Sequence, residues 1–421
     1  MTPRSIVITV AVIGSLYSLF LKIVNALSAK NPTPENLRDV YDADTYEKWK
    51  KYTGEHSRLG IFTTMISCLI TVLLLSTNAY AAFASLFPEN NWFLQMLAVL
   101  LLESVVDFIV GGVAGYISTM KIEEKYGFNR STLFTFIMDR IRSFIAGLAL
   151  SLALAVLIAI FHSALGVFMI PVFALAGFAI SMLASFLYPL LSRLGNKFTP
   201  LEDGELKDSL MNLLNKYGYK VKAIEVMDAS RRTTKLNAYF TGFGKMKTIV
   251  LYDNLINAMT PDEICAVFAH ELGHGLHKDV QKSQVLNAVQ FLLIGAMAWG
   301  FAEWSEVYMQ FGFMESISLS SAIVGINYGF TYILLGIGLS VLQPIIGFVI
   351  NARSRRAEYR ADRQAVIEGY GEAMISAFKK MARDNFAHLS PSFINVILEY
   401  SHPPLNRRIK NVERCMRRMK K

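Results

Sequence analysis

Three long stretches of the chain, residues 59–120, 143–192 and 283–352, contain no Lys or Arg. Each has room for two membrane-spanning helices of about 20 residues joined by a short turn. In the first, GIFTTMISCLITVLLLSTNAYAAF and FLQMLAVLLLESVVDFIVGGVAGYI flank Pro88-Glu89-Asn90-Asn91. In the second, IAGLALSLALAVLIAIF and GVFMIPVFALAGFAISMLASFLY are separated by a turn near His162–Leu165. In the third, VLNAVQFLLIGAMAWGF and YGFTYILLGIGLSVLQPIIGFVI flank an acidic turn with Glu303, Glu306 and Glu315. SIVITVAVIGSLYSLFL at the start adds a seventh span. The composition agrees: 53% of residues are hydrophobic, 18% are charged and the mean hydropathy is +0.36. A soluble domain carries about 25% charged residues.

The charges then set the sidedness. Loops 22–58, 121–142, 193–282 and 353–421 hold the Lys and Arg residues, apart from Arg4. Cytoplasmic loops carry such an excess, so the N-terminus is expected outside and the C-terminus inside. The net charge of +9 is then mostly topology with some attraction to anionic lipid heads, and no nucleic-acid partner is expected. The first span has a competing reading as a signal peptide, with Ala26-Leu27-Ser28 as the cleavage site. Cys68, Cys265 and Cys415 show no paired spacing, so neither a disulfide framework nor a cysteine metal site is expected. Glu103 and Asp107 lie one turn apart at membrane depth. They read as the polar lining of a cavity or as a structural bond between helices.

The largest inner loop, 193–282, reads as a folded module. ELKDSLMNLLNKYG is an amphipathic helix ended by Gly218, and KAIEVMDAS and KTIVLYDNLI read as strands with LNAYFTGFG between them. Next comes TPDEICAVFAHELGHGLHKD. Thr260-Pro261-Asp262-Glu263 is a capping box with Pro at the first helical position, and Ile264, Val267 and Phe268 form an apolar stripe. On this helix His270 and His274, at i and i+4, point two imidazoles at one metal ion, and Glu271 stands next to take a proton from a bound water. A short sheet beside such a helix offers an edge strand to an extended peptide.

A catalytic zinc usually has three protein ligands. Glu358 and Asp362 share a helix face in NARSRRAEYRADRQAVIEGYG. Glu358 is a candidate third ligand, with Asp362 accepting from a ligand histidine. The plainer alternative is a solvated helix paired with Arg355, Arg356, Arg360 and Arg363. His277 competes as ligand, but at i+7 from His270 it drifts around the helix. His56 and His162 read as non-catalytic, and His388 has no motif context. His402, in SHPPLNRRIK, follows an amphipathic helix and suits stabilisation of an oxyanion.

Taken in order, EEKYGFN at 123–129, FTPLEDGEL at 198–206, LNAYFTGFGKMKTIVLYDNLI at 236–256, HELGH, SRRAEYRAD and SHPPLNRRI resemble the type 1 CAAX prenyl proteases, integral-membrane zinc metallopeptidases of the gluzincin kind. The resemblance runs nearly end to end. It implies a mainly α membrane protein with seven transmembrane helices enclosing a chamber, and an α+β zinc metalloprotease module on the inner side. The division is 1–196 for a membrane domain of five spans and 197–421 for the protease domain with two more, about 284–302 and 328–350.

It implies one Zn²⁺ per chain on His270, His274 and Glu358. Glu271 is then general base and acid, Asp362 orients a ligand histidine and Asn237 contacts the substrate backbone. His402 stabilises the transition state, and Arg408 supports His402 or a substrate carboxylate. The implied substrate is a peptide or protein chain, a prenylated C-terminus among them, cut at the cytoplasmic face of the membrane. The chain departs from the family at Gly275, where members often carry Trp. Its length and short outer loops suggest a prokaryotic-type homologue, and then the task need not be CAAX processing. Two other readings stand beside it: a quality-control metalloprotease of membrane proteins, and a non-enzymatic transporter or metal scaffold.

Overall fold

A computed structural model describes residues 1–88, 90–193, 196–231, 233–241, 248–313 and 325–420. The chain begins with α1 (Pro3–Ser28), capped by Thr2, and α2 (Ala43–Ser76), capped by Asp42. After the short α3 (Ala79–Ala84), α4 (Trp92–Tyr116) passes without a break into a π-helical turn, Ile117–Glu123. α5 (Leu133–Leu165) and α6 (Met169–Ser192) pack against each other on either side of Gly166, whose φ is 52°. Only glycine takes that backbone conformation at little cost, so the reversal is set there.

The module follows. β1 (Phe198–Pro200) leads to α7 (Glu205–Lys216), ended at Gly218 with φ 62°. Then come β2 (Ala223–Met227), β3 (Ala238–Thr241) and β4 (Thr248–Tyr252). The sheet order is β1-β2-β4-β3, with β2 parallel to β4 and the other pairs antiparallel. β3 is therefore an edge strand. α8 (Asp253–Ala258) follows β4 directly, so the DNLI part of the expected strand is helical: Asp253 starts the helix and its Oδ2 and Oδ1 accept from Ser230. β1 was not expected from the sequence.

α9 (Pro261–Leu276), the motif helix, and α10 (Asp279–Glu303) are separated by His277 and Lys278, the latter left-handed at φ 55°. α11 (Ser305–Gln310) lies in the acidic turn after α10; Glu315 of that turn is outside the described residues. α12 (Tyr328–Ile367) is one helix of 40 residues with Pro344 inside it, about 60 Å long at 1.5 Å per residue. Its first part is apolar, and its polar continuation beyond residue 350 carries Glu358 and Asp362. α13 (Gly371–Asp384), α14 (Phe393–Leu398) and α15 (Leu405–Met419) complete the chain.

Among the described residues, six helical stretches are long and apolar enough to cross a membrane. One of them, Leu133–Ala184, runs through Gly166. Taking its two arms separately gives seven. Their exposed faces carry Leu69, Leu73, Ile109, Val113, Ile145, Leu150 and Leu175, the surface of a bundle solvated by lipid. Inside the bundle α2, α4, α5 and α12 surround a cavity of about 480 Å³ lined by Ser67, Glu103, Asp107, Arg140, Ser143 and Tyr332. Glu103 lines it and also accepts from the Tyr80 hydroxyl at 2.6 Å, so both expectations for that residue hold together.

The inner segments lock the bundle to the module. Leu37, Val40, Tyr41 and Trp49 share a core with Ala269, Ala365, Met374 and Val412. Asn395 on α14 donates to the Leu21 carbonyl of α1 at 3.0 Å. His388 sits in the same joint. Its Nε2 is 2.9 Å from Ser28 Oγ, its Nδ1 accepts from the Ser390 N–H at 3.3 Å, and Trp49 packs edge-on to its ring. Burial lowers its pKa to about 4, because a neutral ring satisfies both bonds and a charged one is stranded from water.

The unfolded chain takes that proton near pH 6.5, so it binds more protons than the folded one between pH 6.5 and 4. Stability from this site is present above pH 6.5 and falls as pH drops toward 4. At pH 5 the loss from His388 is on the order of 2 kcal/mol. In detergent, His388→Gln is expected to show a smaller drop in melting temperature between pH 7 and pH 5 than the parent protein, and an equal drop would refute this.

Candidate active site

The site begins with the way α9 is held. Thr260 Oγ1 accepts from the Glu263 N–H at 3.3 Å, and Glu263 Oε2 accepts from the Thr260 N–H at 2.8 Å. Glu263 also accepts from Ser376 (2.6 Å) and Lys380 (2.7 Å) of α13. Burial would raise its carboxyl, but these donors hold it below the usual carboxylate range. The first turn of the helix is thus both capped and fastened to a neighbour.

Three residues before its end α9 crosses α12 at very short range. A Cβ on Gly273 would stand 2.9 Å from the Ala361 Cα and 3.0 Å from the Gln364 Cβ. No side chain fits between the two backbones. Glu358, one turn before Ala361, is brought under both histidines of α9.

His274 Nε2 is 3.3 Å from Glu358 Oε1, and His270 Nε2 is 3.6 Å from Glu358 Oε2. One donor atom from each of the three residues lies within 4.8 Å of the others. Two ligand atoms each bound at 2.0–2.1 Å to a tetrahedral ion stand about 3.3 Å apart. Glu358 Oε2 is buried and accepts no hydrogen bond, its nearest cation being Arg408 Nη2 at 3.1 Å, so it keeps a lone pair for a further partner. A borderline-soft divalent cation such as zinc fits both the spacing and the two-nitrogen, one-oxygen donor set. His277, exposed at the end of α9, takes no part in the group.

Around the three lies a ring of charges. Asp362 Oδ1 is 2.9 Å from His270 Nδ1, and Asp279 Oδ2 is 3.1 Å from His274 Nδ1. Each imidazole is held by one nitrogen so that the other faces Glu358. Arg408 donates to both oxygens of Asp362 at 2.6 and 3.0 Å, and its Nη2 lies 3.1 Å from Glu358 Oε2. Burial would lower its pKa, but Asp362 and Glu358 raise it. Arg360 donates to Asp279 Oδ1 at 2.7 Å.

Asp279 was not expected from the sequence. It stands five residues after His274, too far for a shared helix face, and returns only because α9 stops and the chain reverses at Lys278. The acid that closes HGLHKD was the only trace of it.

The other candidates fall into place around this group. Glu271 is half-buried and forms no hydrogen bond or ion pair with the described residues. His402 is exposed; its Nε2 is 3.3 Å from Glu358 Oε1 and Ser401 Oγ is 2.9 Å from its Nδ1. Arg408 is consumed by Asp362 and Glu358, which departs from the expectation that it could take a substrate carboxylate. Asn237 is exposed where β3 begins, and its Oδ1 accepts from the Ala238 N–H at 2.9 Å. At Gly275 a Cβ would meet the Tyr219 hydroxyl at 2.3 Å, so Tyr219 fills the space a larger side chain would need, and the departure there concerns packing. His56 pairs with Glu123, and His162 lies between Tyr328 and Glu303 at the outer end; neither is part of the group.

Residues 200–416 match the peptidase family M48, and residues 23–193 match the CAAX prenyl protease N-terminal region of five membrane helices. CAAX prenyl protease 1 of Saccharomyces cerevisiae is 29% identical over 399 residues, covering 89% of this chain and 87% of that protein. CAAX prenyl protease 1 homolog of Arabidopsis thaliana is 29% identical over 418 residues, covering 94% of each. The crystal structure of S. mikatae Ste24p superposes with a TM-score of 0.87 at 27% identity, covering 98% of this chain and 99% of that one.

Partners that orient metal-binding histidines typically contribute 10- to 100-fold to metal affinity. Asp279→Asn and Asp362→Asn are each expected to weaken zinc binding by that factor, read by titration against a chelating dye, while the folded helix content stays unchanged. A variant with parental affinity would remove that residue from the role.

Proposed function

This chain belongs to peptidase family M48 and carries the five-helix N-terminal region of the CAAX prenyl proteases; from that premise we propose that it cuts peptide bonds near prenylated C-termini, using the group around His270, His274 and Glu358 as its catalytic centre. It is a multi-pass membrane protein and a metalloendopeptidase of the CAAX protease type. The observation that carries the residue assignment is the convergence of three donor atoms from α9 and α12 within 4.8 Å, beside a Glu271 carboxylate with no hydrogen bond or ion pair among the described residues.

Zinc held by His270, His274 and Glu358 would supply Lewis acidity to a water and to the scissile carbonyl. Glu271 takes the proton of that water as the carbonyl is attacked and delivers it to the leaving amine. His402, exposed and within reach of Glu358, donates to the developing oxyanion. Asp362 and Asp279 keep the two imidazoles facing inward, and Arg408 keeps Asp362 and Glu358 charged and in place. The edge of β3, starting at Asn237, takes the peptide backbone as an added strand. The basic loops favour the cytoplasmic side for this face of the bundle. Similarity that runs through the membrane region as well as the peptidase region favours a CAAX-type substrate over damaged membrane proteins at large.

The test uses the purified protein in detergent. Glu271→Gln is expected to bind one zinc with parental affinity and to lose at least about three orders of magnitude in kcat; an active variant would overturn the role of Glu271. A farnesylated CAAX peptide is expected to be cleaved with a higher kcat/KM than its unmodified counterpart and than an unfolded membrane protein. Equal rates on all three would overturn the prenyl preference while leaving the peptidase intact.

A further inference from the structure

The open edge of β3 is closed at one end by a side chain. The Tyr252 N–H donates to the Asn237 carbonyl at 3.2 Å, and the register continues from Ala238↔Leu251 to Thr241↔Thr248. In an antiparallel ladder successive residues direct their backbone groups alternately toward the partner and away from it. Asn237, Tyr239 and Thr241 therefore address β4. Leu236, Ala238 and Phe240 address the open side, where an added strand would pair.

At Leu236 that side is already taken. Asn385, at the end of α13, accepts from the Leu236 N–H through Oδ1 at 3.0 Å and donates from Nδ2 to the Leu236 carbonyl at 3.4 Å. One amide side chain thus makes both bonds that a residue of a neighbouring strand would make. The segment cannot shift to free them. The Leu236 side chain is buried in the module core. Asn254 Nδ2 donates to the Lys235 carbonyl at 2.8 Å and to that of Thr233 at 3.3 Å. From the membrane domain, Asn129 bridges to Thr233, and Glu123 lies 3.5 Å from Lys235 Nζ.

We propose that Asn385 sets the register of the substrate. An extended peptide pairs at Ala238, whose N–H it takes over from Asn237 Oδ1, and at Phe240, and is stopped at Leu236, so the number of substrate residues on that side of the cleaved bond is counted from a wall. A limit on length at one end is what an enzyme trimming a short terminal segment needs. The proposal rests on the peptidase reading above, with the substrate strand lying on β3.

The experiment uses the full chain in detergent and one peptide that the parent protein cleaves. Two series lengthen it one residue at a time, at the N-terminus or at the C-terminus, and mass spectrometry reports kcat/KM and the bond cut. The parent is expected to lose tenfold or more in kcat/KM past a set length in one series. Asn385→Ala is expected to cut that loss at least fivefold and to yield a second product displaced by one or two residues. If N385A does not accumulate, Asn385→Asp, which keeps the acceptor for Leu236 N–H and loses the donor, is read the same way. A length limit and cleavage position unchanged in the variant, whatever its overall rate, would overturn the proposal, as would a parent with no limit in either series. Failure of the peptidase reading looks different: no peptide is cleaved faster by the parent than by Glu271→Gln.

Discussion

The close crossing of α9 and α12 at Gly273 and Ala361 is the contact on which the rest depends. It brings two donors from one helix and one from another into a single group without help from a loop. Sites built on helices are held more tightly than sites on loops. The crossing also buries charge. Glu358 and Asp362 are 4% and 0% exposed, and taking a carboxylate from water costs several kcal/mol. Arg408 and the two histidines offset that cost. Removing any one of them strands the others, so these residues succeed or fail as a set.

The membrane enters the site directly. α9 gives way to α10 after two residues, and α12 is itself the last membrane helix carried past the bilayer. The donors of the proposed metal site are thus extensions of the bundle, with no linker in which the module could swing. The joint formed by α14, His388 and the segment from Leu37 to Trp49 fastens the first helix to the same module. The boundary drawn near residue 196 divides the sequence, while the packing crosses it.

Much of this was legible because it follows from simple periodicities. The Lys- and Arg-free stretches marked the apolar helices, since lipid excludes charge over about 20 residues. The i, i+4 spacing of His270 and His274, and of Glu358 and Asp362, placed them in pairs because helix geometry is local. What escaped notice depends on where the chain turns. Asp279 reaches His274 only through the left-handed Lys278, and no spacing rule reports that reversal. Asn385 meets Leu236 across a large separation in sequence, through one amide, and leaves no pattern in either segment. The motif marks Arg408 for support of either His402 or a substrate carboxylate and does not decide between them. Only its burial against Asp362 shows it facing in.

The unbroken length of α12 has a mechanical consequence. Tyr332 lines the cavity among the membrane helices and Glu358 belongs to the proposed metal site, on the same rod. Pro344, which cannot donate a hydrogen bond to the turn before it, is where such a rod bends most easily. Glu358 lies about 21 Å along the axis from that point. Metal–ligand distances tolerate about 0.2 Å, which corresponds to a swing of roughly half a degree at the end of that lever arm. Helix tilt in a bilayer responds to its thickness and to neighbouring helices by far more than this. The bundle must therefore act as a stiff bearing, and the lipid-facing helices that never touch the chemistry set the tolerance to which it is machined.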